Sequence, residues 1–231
     1  LLKPRESRAA IVDKILLDLD KAVEYLDFRK DVGNCVINKE VALAFQTRVA
    51  LNEGTWQKYH VGTPFATPSA DPNKYFTKCV EAAEKLINGN YTTGIYNTGN
   101  PESDYYTMFG LVNMGNINEV LLYKQFNLAE GFRNSVEGFL SYNPEQKGAT
   151  WDLVSSYLSK DGKPVDYLGL SATSKGNDFL TDIAQISDNR LKSTIYIPGD
   201  YLNVSLGLIF ENPRIDAGVL QLCPTGFQIK K

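Results

Sequence analysis

Apolar residues recur every three or four positions along residues 1–91, and this spacing predicts three amphipathic helices. The first helix is predicted over residues 5–26, with charged residues such as Asp13, Lys14 and Glu24 on its solvent face. Its predicted buried stripe consists of Ile11, Ile15, Leu19, Ala22, Val23 and Leu26. This pattern is typical of a surface helix that packs on one side.

The second helix is predicted over residues 39–53, with Asn38 as its N-cap and Gly54 as its end. Its predicted inward positions are Val41, Ala42, Phe45, Val49 and Ala50. Small alanines beside a large aromatic residue favour close packing of this helix against a neighbour.

The third helix has the strongest end signals of the chain. Asp71 is the predicted N-cap, Pro72 takes the first helical position and Asn88-Gly89 ends the helix. The predicted buried stripe is Tyr75, Cys79, Ala82, Ala83 and Leu86. Two helices of similar length with alanines at their contact face suggest a helical hairpin of the tetratricopeptide kind.

After residue 91 the helical periodicity is replaced by Tyr, Asn, Gly and Ser. The sequence predicts a strand over 119–126, a long irregular segment over 131–150 and a short helix over 151–157 with Leu153, Val154 and Tyr157 inward. Turns are expected from 164 to 231, apart from a strand over 193–197. The predicted fold is mainly all-α in one domain over 1–231, with a helical scaffold at 1–91 and a loop-rich, ligand-binding part at 92–231.

Charge and cysteine content narrow the function classes. With 24 Lys and Arg against 27 Asp and Glu, the chain has no strong field of one sign, which argues against nucleic-acid binding. No apolar run approaches the roughly 18 residues of a membrane-spanning helix. Cys35, Cys79 and Cys223 lack zinc-site spacing, so free thiols are expected, with a Cys35–Cys79 disulfide as the alternative.

Catalytic chemistry has few candidates in this sequence. His60 is the only histidine, and no nucleophile motif, phosphate loop or metal-binding motif accompanies it. Asp178, Asp182 and Asp188 form an acidic stretch that a solvated loop explains better than a calcium site. The sequence therefore predicts no catalytic residues, no metal and no cofactor, although a glycosidase needs only two carboxylates and stays open.

Aromatic residues among turn-forming residues provide the positive signal. Such residues are held near the surface, where a flat apolar ring with polar neighbours suits a sugar. We expect the rings to stack on the ligand and the polar side chains to bind its hydroxyl groups. The predicted ligand-binding residues are Phe132, Arg133, Asn134, Phe139, Tyr142, Asn143 and Trp151.

Several motifs, taken in order, resemble the SusD/RagB family of outer-membrane nutrient-binding lipoproteins. The longest is Arg48-Val49-Ala50-Leu51-x-Glu53-Gly54-x-Trp56-x-x-Tyr59, and it follows Asp18-Leu19-x-x-Ala22. The others are Gly33 followed by Lys39-x-x-Ala42, Ala82-Ala83 with Leu86-Ile87-x-Gly89-x-Tyr91, Phe109 with Asn118-Glu119-Val120, Thr150-x-x-Leu153-Val154-x-x-Tyr157, Asp161-Gly162-Lys163-Pro164, Arg190-Leu191, Pro198-Gly199 and Thr225-Gly226-Phe227-x-x-Lys230.

The resemblance implies a tetratricopeptide-like scaffold whose loops bind an oligosaccharide or polysaccharide without converting it. It also implies a surface-exposed position at the outer membrane of a Gram-negative cell, through a lipid anchor outside this segment, and a SusC-like TonB-dependent transporter as partner. Within the matching motifs, Arg48 is expected to pair inside the helical pack, and Trp56 with Tyr59 to cover the end of the second helix. A helical-repeat adaptor that binds only protein is the second hypothesis, and a glycoside hydrolase is the third.

Overall fold

The computed structural model describes residues 5–91, 93–136, 138–204 and 206–230, without the side chain of Tyr142. The protein is mainly helical, which confirms the predicted fold class. The chain divides into two compact units. The first unit contains the residues up to Ile95 together with Asn113–Gln125, and the second contains Tyr96–Val112 together with the residues from Phe126 onward.

The first unit is built from four helices in its described part. They are α1 (Arg8–Tyr25), α2 (Arg29–Val32), α3 (Lys39–Tyr59) and α4 (Pro72–Asn88). Helix α3 packs against both α1 and α4. Side chains set the predicted starts of two of them, because Asn38 Oδ1 accepts from the Val41 amide and Asp71 Oδ1 accepts from the Lys74 amide.

The predicted end of α3 at Gly54 is wrong. The helix passes through Gly54 and continues to Tyr59. Gly54 is buried because α4 approaches it closely: a Cβ at this position would lie 2.7 Å from a ring carbon of Phe76. This glycine therefore allows two helices to touch rather than ending one of them.

The predicted buried face of α1 is also wrong in part. Ile11 and Ile15 are 42% and 38% exposed, whereas Leu16 is buried. Leu16 packs in a cluster with Ala50 of α3 and Tyr75 of α4. Because α1 packs against both α3 and α4, its buried face differs from the predicted stripe. Phe45, predicted to face inward on α3, is likewise 52% exposed.

Residues 119–126 do not form the predicted strand. Their neighbourhood is held by side chains instead: Arg29 Nη1 donates to the carbonyl oxygens of Ile117 and Val120, and Asn38 Nδ2 donates to that of Leu121. The apolar residues of this segment thus lie in an extended chain. The carbonyls of Val120 and Leu121 are satisfied by a guanidinium and an amide, and not by a neighbouring strand.

The second unit is more helical than the sequence predicts. Its described elements are α5 (Asp104–Gly110), a 3₁₀ turn (Leu128–Glu130), a π-helical turn (Gly138–Tyr142), α6 (Trp151–Ser155), α7 (Tyr167–Thr173), α8 (Gly176–Ile186), α9 (Asn189–Thr194), β1 (Tyr201–Asn203) and β2 (Leu208–Ile209). The two strands pair antiparallel. A core of Val154, Ile183, Leu191, Ile195 and Tyr196, each at most 1% exposed, joins helices α6, α8 and α9 to the segment that follows.

Two sequence predictions in this unit need correction. The strand expected over 193–197 is replaced by the end of α9, since Asp188 caps that helix by accepting from the Arg190 amide. Ile195 then pairs antiparallel with Ile229. The short helix expected over 151–157 ends at Ser155, with Val154 buried and Leu153 exposed.

Candidate functional site

A cavity of about 750 Å³ lies within the second unit. Four parts of the chain form its wall: α5 with the residues after it, the segment around Asn134, the end of α9 and Lys230. We call it the α5 cavity. Pockets of this size suit ligands of several rings rather than a single small ion.

Helix α5 supplies the aromatic side of the cavity. Asp104 and Met108, one turn apart, are buried, and Tyr105 and Phe109, each one position later, lie on the neighbouring, exposed face of the helix. The Asp104 carboxylate fixes the start of α5 by accepting from the amide and the hydroxyl of Thr98, at 2.9 and 2.5 Å. The rings of Tyr105 and Phe109 meet edge to face with centroids 5.1 Å apart.

These aromatic side chains are open to a ligand. Tyr105, Tyr106 and Phe109 are 52%, 37% and 47% exposed. Their exposure leaves apolar ring surface in contact with solvent, which a ligand with apolar C–H faces would cover.

The hydroxyl of Thr194 gives the cavity a group of defined polarity. Thr194 Oγ1 donates to the carbonyl oxygen of Arg190 at 2.8 Å and accepts from the Tyr157 hydroxyl at 2.8 Å. A hydroxyl has one donor hydrogen and two acceptor lone pairs. Thr194 therefore has only an acceptor position left for a ligand.

Asn134 has the complementary polarity. Its side-chain oxygen accepts from the Val136 amide at 3.1 Å, which stabilises the local turn. The amide nitrogen is then the part of Asn134 with two hydrogens to donate to a ligand. The cavity thus combines an acceptor at the end of α9 with a donor on the facing segment.

Lys230 contributes a positive charge to the wall. Its Nζ lies 3.0 Å from Asp200 Oδ2 and 5.2 Å from the ring centroid of Tyr106. The Lys230 amide donates to the carbonyl oxygen of Thr194 at 2.8 Å, which fixes the backbone beside the end of α9. The side chain is 17% exposed, so its ammonium group is partly removed from bulk water.

The predicted residues around position 133 divide between the cavity and the surface. Asn134 lines the α5 cavity. Arg133 is exposed, and Phe132 is 57% exposed in a turn where its amide donates to the carbonyl oxygen of Asn127. Among predicted residues with described side chains, Asn134 is the one that the structure brings into this cavity.

The later predicted residues lie in other surroundings. Phe139 is 48% exposed in the π-helical turn, and Asn143 is half-buried with its amide donating to the Gly138 carbonyl. Trp151 stacks on Phe179 with centroids 6.1 Å apart and also contacts Phe227. The side chain of Tyr142 lies outside the described residues.

Sequence reasoning missed the aromatic residues of α5. The signal that could have found them is the i, i+4 spacing of Tyr105 and Phe109 directly after Asp104, an acidic residue that suits a helix start. The sequence pattern predicts no helix over 104–110, so it does not place these aromatic residues on a common face.

Residues singled out for other chemistry have structural contacts. The His60 ring stacks on Trp56 with centroids 3.9 Å apart, and the His60 backbone amide caps α3 by donating to the Trp56 carbonyl oxygen, whereas Tyr59 is 71% exposed. The expected cover over the end of α3 thus involves Trp56 and His60. Arg48 is exposed, so its expected place inside the helical pack is wrong.

The structure also shows the surroundings of the acidic stretch and the state of the cysteines. Asp178 and Asp182 lie one turn apart on α8 rather than in a loop, and Ser174 Oγ donates to Asp182 at 2.6 Å. Within the described ranges, no three His, Cys, Asp or Glu side chains are grouped to hold a metal ion. All three cysteines are free, so the Cys35–Cys79 disulfide does not form.

No helix in the described part of the chain is both long and apolar enough to cross a membrane. Comparisons of the chain with protein-family models, with curated proteins and with solved structures found no match.

Proposed function

We propose that this chain is a SusD-like binding protein that captures an oligosaccharide in the α5 cavity and delivers it to a TonB-dependent outer-membrane transporter. The observation that carries the proposal is a cavity of about 750 Å³ in which three exposed aromatic rings lie beside hydroxyl, amide and ammonium groups.

Sugar chemistry fits this combination of groups. A pyranose ring has C–H groups on its faces and hydroxyl groups around its edge. The faces can stack on Tyr105 and Phe109, while Asn134 donates to hydroxyl oxygens and Thr194 accepts a hydroxyl hydrogen. A ligand bound in this way uses both the apolar and the polar parts of the wall.

Capture is better supported than hydrolysis. Hydrolysis of a glycosidic bond ordinarily requires two carboxyl groups on opposite sides of the bond. The described residues that line the α5 cavity include no Asp or Glu. The wall can therefore hold a sugar by stacking and hydrogen bonds, but the residues described there lack the usual acid and base.

The cellular part of the proposal has separate support. It rests on the ordered SusD/RagB-like motifs, above all the segment from Arg48 to Tyr59, which lies at the end of α3. Membrane attachment would come from a lipid anchor outside this segment, and the transporter would receive the ligand.

Binding to a glycan array, followed by calorimetry on the glycans that bind, tests the proposal. We expect Tyr105→Ala combined with Phe109→Ala to weaken binding about tenfold or more, since each stacked ring contributes about 0.5–1.5 kcal/mol beyond its buried area. The matched control is Tyr25→Ala combined with Phe65→Ala, two exposed rings of the first unit.

Two results would contradict the proposal. One is the absence of glycan binding by the unaltered protein. The other is unchanged affinity in the α5 double variant. If Phe132→Ala combined with Phe139→Ala abolished binding instead, the ligand would occupy the loop residues predicted from sequence and not the α5 cavity.

A protein adaptor is the second candidate function, and the surface of α1 favours it. Ile11, Ile15, Leu17 and Tyr25 expose between 38% and 77% of their surface on this one helix. Exposed apolar side chains grouped on a helix often bind another protein. If the variant Ile11→Asp combined with Ile15→Asp still captured a purified transporter, this result would argue against this use of α1.

A further inference from the structure

The charge on the wall of the α5 cavity has one sign. Lys230 is the charged residue among the described residues that line it, and these include no carboxylate. A ligand in the cavity therefore meets an ammonium group whose paired carboxylate, Asp200, is outside the described lining. That asymmetry favours an anionic ligand.

The ammonium group is fixed in place rather than free in solvent. Hydrogen bonding of the Lys230 amide to Thr194 and contact of Nζ with Asp200 restrict both ends of the residue. Holding the group in advance lowers the entropy lost when a ligand binds. Partial burial also strengthens its interaction with a charge in the cavity.

The ion pair with Asp200 does not use all the hydrogen-bond donors of the Lys230 ammonium group. An ammonium group has three hydrogens, and Asp200 Oδ2 takes one while also accepting from the Ile197 amide at 2.9 Å. Asp200 is not among the described lining residues, whereas Lys230 is, so a ligand in the cavity approaches this ion pair from the side of Lys230. Hydrogens of Nζ therefore stay available to a ligand oxygen.

The remaining polar groups of the wall further restrict the kind of ligand that fits the cavity. Asn134 can donate, whereas Thr194 can only accept, because its hydrogen is used by the Arg190 carbonyl. A ligand that satisfies the wall needs an acceptor for Lys230 and Asn134 and a hydroxyl hydrogen for Thr194. A sugar with an acidic substituent carries all of these on one ring.

We propose that the α5 cavity selects anionic oligosaccharides, with the acidic group of a sugar accepting a hydrogen bond from Lys230 Nζ while a neighbouring ring stacks on α5. This inference rests on the proposed function, because it assumes that the cavity binds a glycan. The acidic group is a uronate carboxylate or a sulfate ester, which present similar oxygen acceptors.

The test uses matched glycans on an array. Uronate-containing oligosaccharides are compared with their carboxyl-reduced counterparts, and sulfated oligosaccharides with their desulfated counterparts. We expect about tenfold tighter binding to one anionic set than to its neutral match, since a charge-assisted hydrogen bond is about twice as strong as a neutral one. The preferred set identifies the acidic group, and added salt should reduce the preference.

The variant Lys230→Met tests the role of Lys230 in this selection. We expect it to remove the preference for the anionic set, so that the anionic glycan and its neutral match bind with equal affinity. The control is Lys163→Met, whose side chain is 77% exposed beside Asp161. Because Lys230→Met leaves Asp200 without its partner, Lys230→Met combined with Asp200→Asn is measured too, with circular dichroism to verify folding.

The outcomes separate the two proposals. Equal binding of anionic and neutral glycans, reduced by the Tyr105→Ala, Phe109→Ala double variant, would overturn the anionic selection and support the proposed function. An anionic preference unchanged in both Lys230 variants would overturn the role of Lys230. Binding to no glycan would overturn both proposals. If neither Lys230 variant folds, the matched-glycan and salt comparisons on the unaltered protein decide the selection.

Discussion

Arg8 Nε donates to Glu53 Oε2 at 2.6 Å and joins the start of α1 to the later part of α3. The Glu53 side chain is fully buried, whereas that of Arg8 is 41% exposed. The guanidinium carbon of Arg8 lies 4.2 Å from the ring centroid of Trp56. One side chain thus satisfies a buried carboxylate and covers an aromatic ring at the edge of the first unit.

Replacing Arg8 tests this contact. Arg8→Met leaves the buried Glu53 carboxylate with the hydrogen bond from Gln57 Nε2 at 2.9 Å but without a charged donor. We expect the free energy of unfolding to fall by about 1–3 kcal/mol, measured by urea denaturation. Arg48→Met, an exposed arginine of α3, is the matched control with little expected effect. Equal stability of the two variants would contradict the role assigned to Arg8.

Gly54→Ala tests the close approach of α3 and α4. Alanine favours a helix over glycine by about 1 kcal/mol, but its Cβ would clash with the Phe76 ring at 2.7 Å. We expect the clash to exceed the gain, so that thermal denaturation shows a lower Tm. Gly54→Ala combined with Phe76→Leu should recover part of the loss. In contrast, Gly110→Ala meets no atom within 4 Å and should not be destabilising.

Acid should weaken the contacts between α1 and α4. Partial burial raises the pKa of Asp13, but hydrogen bonds from Lys74 and Tyr75 outweigh it and hold this pKa below its usual value. At Asp20, partial burial likewise raises the pKa, but hydrogen bonds from Lys78 and Gln46 outweigh it. The pKa of Asp20 is therefore also lowered. A carboxylate with a lowered pKa stabilises the fold above the unfolded pKa, about 3.9, and loses this contribution as the pH falls.

We therefore expect the free energy of unfolding to decline as the pH falls below about 4. Asp13→Asn combined with Asp20→Asn should be less stable at neutral pH and show a flatter decline in acid. Urea denaturation from pH 7 to pH 2 measures both effects. A double variant with the same pH dependence as the unaltered protein would show that these two carboxylates do not carry the acid response.

Trp151 and Phe132 were both predicted from sequence to stack on a ligand, but their surroundings differ. Trp151 contacts Phe179 and Phe227, whereas Phe132 is 57% exposed. We expect Trp151→Ala to lower the free energy of unfolding by about 2 kcal/mol, because it removes aromatic packing, and Phe132→Ala to change it by less than about 0.5 kcal/mol. Calorimetric unfolding of the two variants measures the difference. Similar losses would contradict the packing role of Trp151.

Helix starts were predictable wherever the signal lies in neighbouring residues. Asn38 and Asp71 cap α3 and α4 as predicted, and Thr150 caps α6 by accepting from the Leu153 amide. A capping side chain reaches amides two or three residues away, so no distant contact is needed to recognise it. The mainly helical fold follows from such local signals together with the apolar periodicity.

Helix faces and ends were harder to predict when a distant residue decides them. Gly54 resembles a helix end in sequence, but in the fold it accommodates Phe76 of α4. Ile15 belongs to the apolar stripe of α1, yet the position of α3 and α4 selects Leu16 for burial. Periodicity defines which residues share a face, whereas the neighbouring helices determine which face is covered.

The sequence by itself determined the helical class, the caps and the aromatic, nearly charge-balanced composition, because these depend on neighbouring residues and on residue counts. Only the tertiary structure brought Tyr105, Asn134, Thr194 and Lys230 around one cavity. These residues are far apart in the chain, and their meeting depends on how α5 and α9 pack in the second unit. Long-range packing is settled by the sum of many weak contacts, which no local pattern records.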